Sequence, residues 1–170
     1  MAIHYLNILL VDSVDVKIIM KVRKVNLSDK NEWERMRNQL WSSSSTEHLA
    51  EIDRYFSNNS TNIVNVMVLE RNSGKLGGLI ELNIRNYAEG SKLERVPYVE
   101  GWYVDQDLRK NGYGKQLMAM AEEWAIENGF SELVSDTELT NYNSIAIHQS
   151  LGFKEVGRIV CFIKSLTQHS

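Results

Sequence analysis

The run Glu100-Gly101-Trp102-Tyr103-Val104-Asp105-Gln106-Asp107-Leu108-Arg109-Lys110-Asn111-Gly112-Tyr113-Gly114-Lys115 constrains the rest of the chain more than any other stretch. Val99, Trp102 and Val104 suit a buried strand, and Asp105 to Asp107 read as a turn. From Gly112 onward, Leu117, Ala121 and Trp124, flanked by Met118 and Ala125, recur at helical spacing. The spacing therefore predicts a strand that feeds through a short loop into a helix opened by glycines.

The join carries the chemistry. In Arg109-x-x-Gly112-x-Gly114, two residues without Cβ sit where the first helical turn leaves backbone N–H groups unpaired. Those donors, the positive end of the helix dipole and room for close approach together make an anion site. Arg109, Lys110 and Lys115 add positive charge, so a pyrophosphate is the natural guest. The same glycines also fit a plain strand–loop–helix corner, and on their own they do not separate the two. No Gly-Lys-Ser/Thr and no G-x-G-x-x-G is present, which argues against a P-loop NTPase and a dinucleotide-binding Rossmann domain.

A chain of 170 residues, 43% apolar and 24% charged, is most simply one ordinary globular domain. A net charge of −3 gives a nucleic-acid partner no bulk electrostatic support. The single cysteine, Cys161, permits no internal disulfide and suits a reducing cytoplasm; its neighbours Val160 and Phe162 suggest an inert core thiol. Residues 1–19 read as a leader of uncertain order before a domain over 20–170, with Met20 as an alternative start. Its apolar run, Tyr5 to Val11, is far short of the ~20 residues that span a bilayer, and no signal-peptide pattern surrounds it. No membrane partner is expected.

In order, Lys21 to Val25 reads as a strand, and Ser28 or Asp29 caps a helix to Leu40 with Trp33, Met36, Arg37 and Leu40 on one side. Ser44-x-x-Glu47 is a capping box for a second helix over Thr46 to Phe56. Ile63 to Glu70 and Leu76 to Ile84 form a hairpin about Asn72-Ser73-Gly74, and Val96 to Val104 follows after a polar loop. The glycine-opened helix ends at Asn128-Gly129, a short strand covers Leu133 to Ser135, and a short helix covers Ser144 to Leu151. One or two strands are expected over Phe153 to Lys164, broken near Gly157.

The glycine loop, placed after Tyr103-Val104, resembles the acetyl-CoA pyrophosphate loop of the GNAT superfamily of N-acetyltransferases. A second block, Asn141-x-x-Ser144-x-x-Ile147-His148-x-Ser150-Leu151-Gly152-Phe153, is similar to that family's downstream pattern. The resemblance spans about Val22 to Lys164. It implies an α/β single domain: a mixed, mostly antiparallel sheet flanked by helices and splayed at the acetyl-CoA site. Trp102, Tyr103 and Val104 would then line the pantetheine arm. Arg109, Lys110, Asn111, Gly112, Tyr113, Gly114 and Lys115 would hold the pyrophosphate, and Asn141 would bond the cosubstrate. Read alone, Asn141 is a helix cap or turn residue. No metal is implied.

The implied reaction is attack of an amine on the acetyl thioester. An ammonium, with a pKa of about 8 to 10.4, must first lose a proton, so a carboxylate beside it can attract the cation and then accept that proton. Glu100 suits the role if it faces the interior, and is an ordinary surface glutamate if it faces solvent. Asp136 is the second candidate, or else a turn-initiating Asp. His148 stands where many members carry the tyrosine that protonates the departing thiolate, or else merely touches the cosubstrate.

Finer features, including Asn38-Gln39-Leu40-Trp41, Glu47-His48-Leu49, Val99 to Val104 and Ser135-Asp136, look like the aminoglycoside 6′-N-acetyltransferases. The resemblance places Trp41, Tyr87, Glu100 and Asp136 at the aminoglycoside, and such relatives are often homodimers. An aromatic wall and carboxylates suit a polycationic sugar, though Trp41 is equally a plug at a helix end. Gly157 stands where relatives carry an acidic residue, with Glu155 nearby but shifted. Acetylation of a polyamine or protein amine, and non-catalytic CoA binding, are the alternatives.

Overall fold

The computed structural model describes residues 20–41, 45–57, 59 and 62–166. The expectations for a leader over 1–19 and for a cap at Ser44 lie outside them. The elements are β1 (Lys21–Lys24), α1 (Lys30–Leu40), α2 (Ser45–Phe56), β2 (Asn65–Glu70), β3 (Leu76–Arg85), β4 (Val96–Val104), α3 (Tyr113–Glu127), β5 (Val134–Ser135) and α4 (Tyr142–Ser150). They form one mixed α/β domain: a sheet in the order β1-β2-β3-β4-β5, antiparallel except for the parallel β4–β5 pair.

Two layers of side chains cover the sheet. On one face Met67, Leu69, Ile80, Leu82 and Val99 pack under Leu117, Met118 and Ala121 of α3. On the other, Val66, Val68, Leu79 and Tyr103 pack under Trp33 and Met36 of α1 and Ile52 of α2. Each such side chain, fully buried, contributes about 1.5–3 kcal/mol, which explains why the apolar stripes of α1 and α3 dictate where the helices lie. Before α1, Asn26 and Asp29 cap one another across a short 3₁₀ turn, and Arg23 clamps the Asp29 carboxylate at 2.6 Å.

Two corrections concern the C-terminus. Among the described residues no strand follows α4, so the strands expected within Phe153 to Lys164 are absent and that stretch runs as an irregular arm. Cys161 is exposed rather than a core thiol. The origin is common to both: the arm's apolar pattern is that of a strand, but among the described residues it pairs with no strand of the sheet. Val160, Phe162 and Ile163 are left 72%, 92% and 99% exposed.

Candidate active site

The loop between β4 and α3 is built for an anion. After a 3₁₀ turn at Gln106–Leu108, Lys110 and Gly112 both take left-handed backbone, at φ 64° and 83°. For lysine this conformation costs about 1–2 kcal/mol, strain of the kind that clusters at ligand clamps. The first bond closing into α3 runs from Gln116 N to Gly112 O at 3.0 Å, so the N–H groups of Tyr113, Gly114 and Lys115 come ahead of the helical ladder. A Cβ on Gly112 would meet nothing within 4 Å among the described residues. Lys110 and Lys115 are exposed around it. Arg109 instead folds back, donating from Nε to the Val104 carbonyl at 2.9 Å.

Beside this loop the sheet opens. β4 and β5 share only the pairs Tyr98↔Val134 and Val99↔Ser135, so among the described residues β4 from Glu100 to Val104 has no strand on that side. A bulge marks the opening: Glu81 pairs with Gly101 and Leu82 with Val99, leaving Glu100 as an extra residue. Trp102 therefore lies on the same face as Val99, against Gly114, with its buried Nε1 unpartnered among the described residues. Tyr103 is buried on the opposite face.

His148 packs edge-on against Trp102, with ring centroids 5.5 Å apart, and against Phe153. Its Nδ1 lies 2.8 Å from the Ser144 carbonyl and Nε2 2.9 Å from Ser135 Oγ. A carbonyl can only accept, so Nδ1 carries a proton, while the serine hydroxyl can either donate to Nε2 or accept from it. Asn141 caps α4, its Oδ1 accepting from Ser144 N at 3.1 Å. A cavity of about 130 Å³ lies between α3 and α4, lined in part by Lys115, Met118 and Leu151.

The other face of the same opening is acidic and aromatic. Glu100, half-buried, accepts from Arg85 and from Asn83 Nδ2 at 2.8 Å. Tyr98 donates to Asp136, and burial together with that carboxylate pushes the phenol up to about 12. Trp41 lies so near the bulge that a Cβ on Gly101 would come within 2.7 Å of its Cη2. His48 flanks the same indole at 5.9 Å. Tyr87 stands in the loop after β3, 67% exposed, and its hydroxyl donates to Glu89. Glu155 is paired with Arg158, and a Cβ on Gly157 would meet nothing within 4 Å among the described residues. No group of three or more His, Cys, Asp or Glu among the described residues could hold a metal.

The model of the acetyltransferase (GNAT) family matches residues 31–153. The chain belongs to the GNAT acetyltransferase family. Two relatives are named aminoglycoside N(6′)-acetyltransferase type 1. That of Klebsiella aerogenes is 38% identical over 146 residues, covering 85% of this chain and 96% of the relative. That of Acinetobacter haemolyticus is 30% identical, covering 86% and 99%. The fold is also similar to AAC(6′)-Iy in complex with CoA, with a TM-score of 0.81 at 28% identity over 90% of this chain and 99% of that one. A second structure holds AAC(6′)-Iy with a CoA–acetylneamine bisubstrate analogue, at TM-score 0.79 and 29% identity over 87% and 99%.

In this GNAT chain several neighbours of the site escaped sequence reasoning. Glu81, Asn83 and Arg85 alternate along the inner end of an otherwise apolar β3, and that period-two polar pattern was a usable signal. Tyr98 and Ser135 carried none, because their roles come from pairing across β4 and β5.

Proposed function

We propose that the chain transfers an acetyl group from acetyl-CoA to the 6′-amine of aminoglycosides and thereby confers resistance to them. The observation that carries this reading is the opening at the β4 bulge: an anion-binding helix mouth on one side, and Glu100, Asp136 and Trp41 on the other. Residues Arg109 to Lys115 hold the pyrophosphate, with the α3 amides as donors. The free edge of β4 from Trp102 to Val104 offers backbone partners to the pantetheine amides, and Asn141 contacts the cosubstrate from the cap of α4.

Glu100 and Asp136 attract the cationic sugar, with Trp41 and Tyr87 as its aromatic walls. Glu100 takes the ammonium proton, directly or through water; the amine nitrogen then bonds the acetyl carbon, and the carbon–sulfur bond breaks. His148, at the far side of the opening, is the candidate donor to the departing thiolate.

The protein acts as a homodimer. The exposed apolar arm after α4 supports this, since a second copy would cover it. The single cysteine and the acetyl-CoA cosubstrate fit a cytoplasmic enzyme. Among the described residues no helix is long and apolar enough to cross a membrane.

Thiol release from acetyl-CoA tests the activity. Release is expected with kanamycin or tobramycin, and not with spermidine or peptides. Release with spermidine or a peptide alone would reassign the acceptor; acetyl-CoA binding without release under any acceptor would leave only a CoA-binding module.

A further inference from the structure

Glu81 is fully buried, and the chemistry set out above makes no use of it. Its Oε1 accepts from Trp33 Nε1 at 2.5 Å and lies 3.3 Å from Arg37 Nε. Oε2 has no hydrogen-bond partner among the described residues, and neither Nε nor Nη1 of Arg37 has one. Arg37 is buried too; Glu51 holds its Nη2 at 2.6 Å. The guanidinium carbon is 5.1 Å from the centroid of the Trp41 ring, and that ring reaches the Gly101 backbone. Gly101 is the residue paired with Glu81 in the sheet. The path from Glu81 through Arg37 and Trp41 to Gly101 therefore closes on itself, beside Glu100.

A buried, incompletely bonded ion pair is a poor source of stability; a well-packed apolar residue is often as good or better. Burial also pushes the Glu81 carboxyl up to about 7, despite the nearby guanidinium. What the pair does supply is orientation: a planar cation hydrogen-bonded to Glu51 through Nη2 and drawn to Glu81 by charge at Nε presents one face to the indole.

We propose that Glu81 is a positioning residue for the acceptor: through Arg37 it sets the Trp41 indole against Gly101, next to the carboxylate that meets the amine. This rests on the reading that the acceptor binds at Trp41 and Glu100. The geometric part stands without it, and the test separates the two.

The chain has four tryptophans, so its ¹H–¹⁵N spectrum holds four indole N–H resonances, assignable by single Trp→Phe variants. Glu81→Gln is expected to displace those of Trp33 and Trp41 and leave Trp102 and Trp124 in place. A Trp41 resonance that stays put overturns the proposal. If Glu81→Gln does not fold, Arg37→Lys is read the same way: the Trp41 resonance moves, or the proposal fails.

In steady-state assays Glu81→Gln should raise the KM for kanamycin about tenfold, as befits a coupling of about 1.4 kcal/mol between touching residues, with the KM for acetyl-CoA unchanged. In a Trp41→Phe background the same substitution should add nothing. Independent, multiplying effects would overturn the route through Trp41. Wild-type protein that acetylates no aminoglycoside would sink the proposed function instead, while the indole spectra would still decide the role of Glu81.

Discussion

Arg85 grips Glu100 at two points, with Nε 2.8 Å from Oε1 and Nη2 2.5 Å from Oε2, while its guanidinium lies 3.4 Å from the centroid of the Tyr98 ring. The carboxylate proposed to receive the acceptor amine is thus already oriented, with one cation in attendance before a second arrives. Glu100→Gln keeps the shape but removes the proton acceptor, and it exchanges one of the two accepting oxygens that Arg85 and Asn83 use for an NH₂ donor. Turnover should fall by about 10² to 10⁴, with acetyl-CoA affinity preserved in calorimetry. Unaltered turnover would take Glu100 out of the mechanism.

Gly112 separates strain from charge. Its φ of 83° disfavours any Cβ, yet a Cβ there meets no atom of the described residues within 4 Å. Gly112→Ala should therefore cost about 1–2 kcal/mol of stability through backbone strain, with acetyl-CoA binding largely kept. Gly112→Asp adds a negative charge beside the pyrophosphate and should weaken acetyl-CoA binding by at least about tenfold, a loss of about 1.4 kcal/mol. Equal affinity of the two variants for acetyl-CoA would remove the loop from the cosubstrate site.

Gly101 is the counterpart on the acceptor side. A Cβ at 2.7 Å from Trp41 Cη2 forces the indole to move. Gly101→Ala is expected to raise the KM for aminoglycosides about tenfold, since small displacements at positioning contacts have such effects, and to spare the KM for acetyl-CoA. A rise confined to acetyl-CoA would place Trp41 elsewhere in function.

Glu81 leaves a signature in stability against pH. Burial raises its folded value to about 7 from an ordinary 4.5. Below pH 4.5 both states carry the proton and nothing is lost. Between 4.5 and 7 the unfolded chain releases it while the folded chain holds it, so stability falls as pH rises, by at most about 1.4 kcal/mol per unit. Asp105 works in the opposite sense: burial pushes its carboxyl up, but Arg35 and Arg71 outweigh that and hold it low, so its contribution is lost as pH falls. Melting curves between about pH 5 and pH 7.5 should therefore decline more steeply for wild type than for Glu81→Gln. Parallel curves would show that Glu81 is ionised throughout.

The arm after α4 should decide the oligomer. With Phe162 92% and Ile163 99% exposed, a lone copy presents an apolar strip to water. Truncation after Gly157 should convert a dimer to a monomer by light scattering. A full-length protein that is already monomeric would refute the dimer.

The strand–loop–helix core of the site was legible because it is local: Trp102, Gly112, Gly114 and Leu117 fall within one short run, and each signals through its own backbone or periodicity. The trio Trp41, Glu100 and Asp136 came from likeness to a family, and only long-range pairing explains why such distant residues meet. The bulge was not legible, since nothing in Val99-Glu100-Gly101 marks Glu100 as unmatched; it emerges from the register with β3. The expected strands after Phe153 failed for a related reason. Composition marks β-like residues, but a strand also needs a paired neighbour, and among the described residues the arm after α4 has none.

The extra residue in β4 has one more consequence. It is what lets Val99 and Trp102, three positions apart, point to the same side. Loss of that one codon would make Val99 and Gly101 neighbours and close the ladder against Leu82 and Glu81, with Trp102 and Tyr103 keeping their faces and the carboxylate of Glu100 gone. The fold would survive such a deletion with a flatter sheet, and what it would forfeit is the chemistry at the opening.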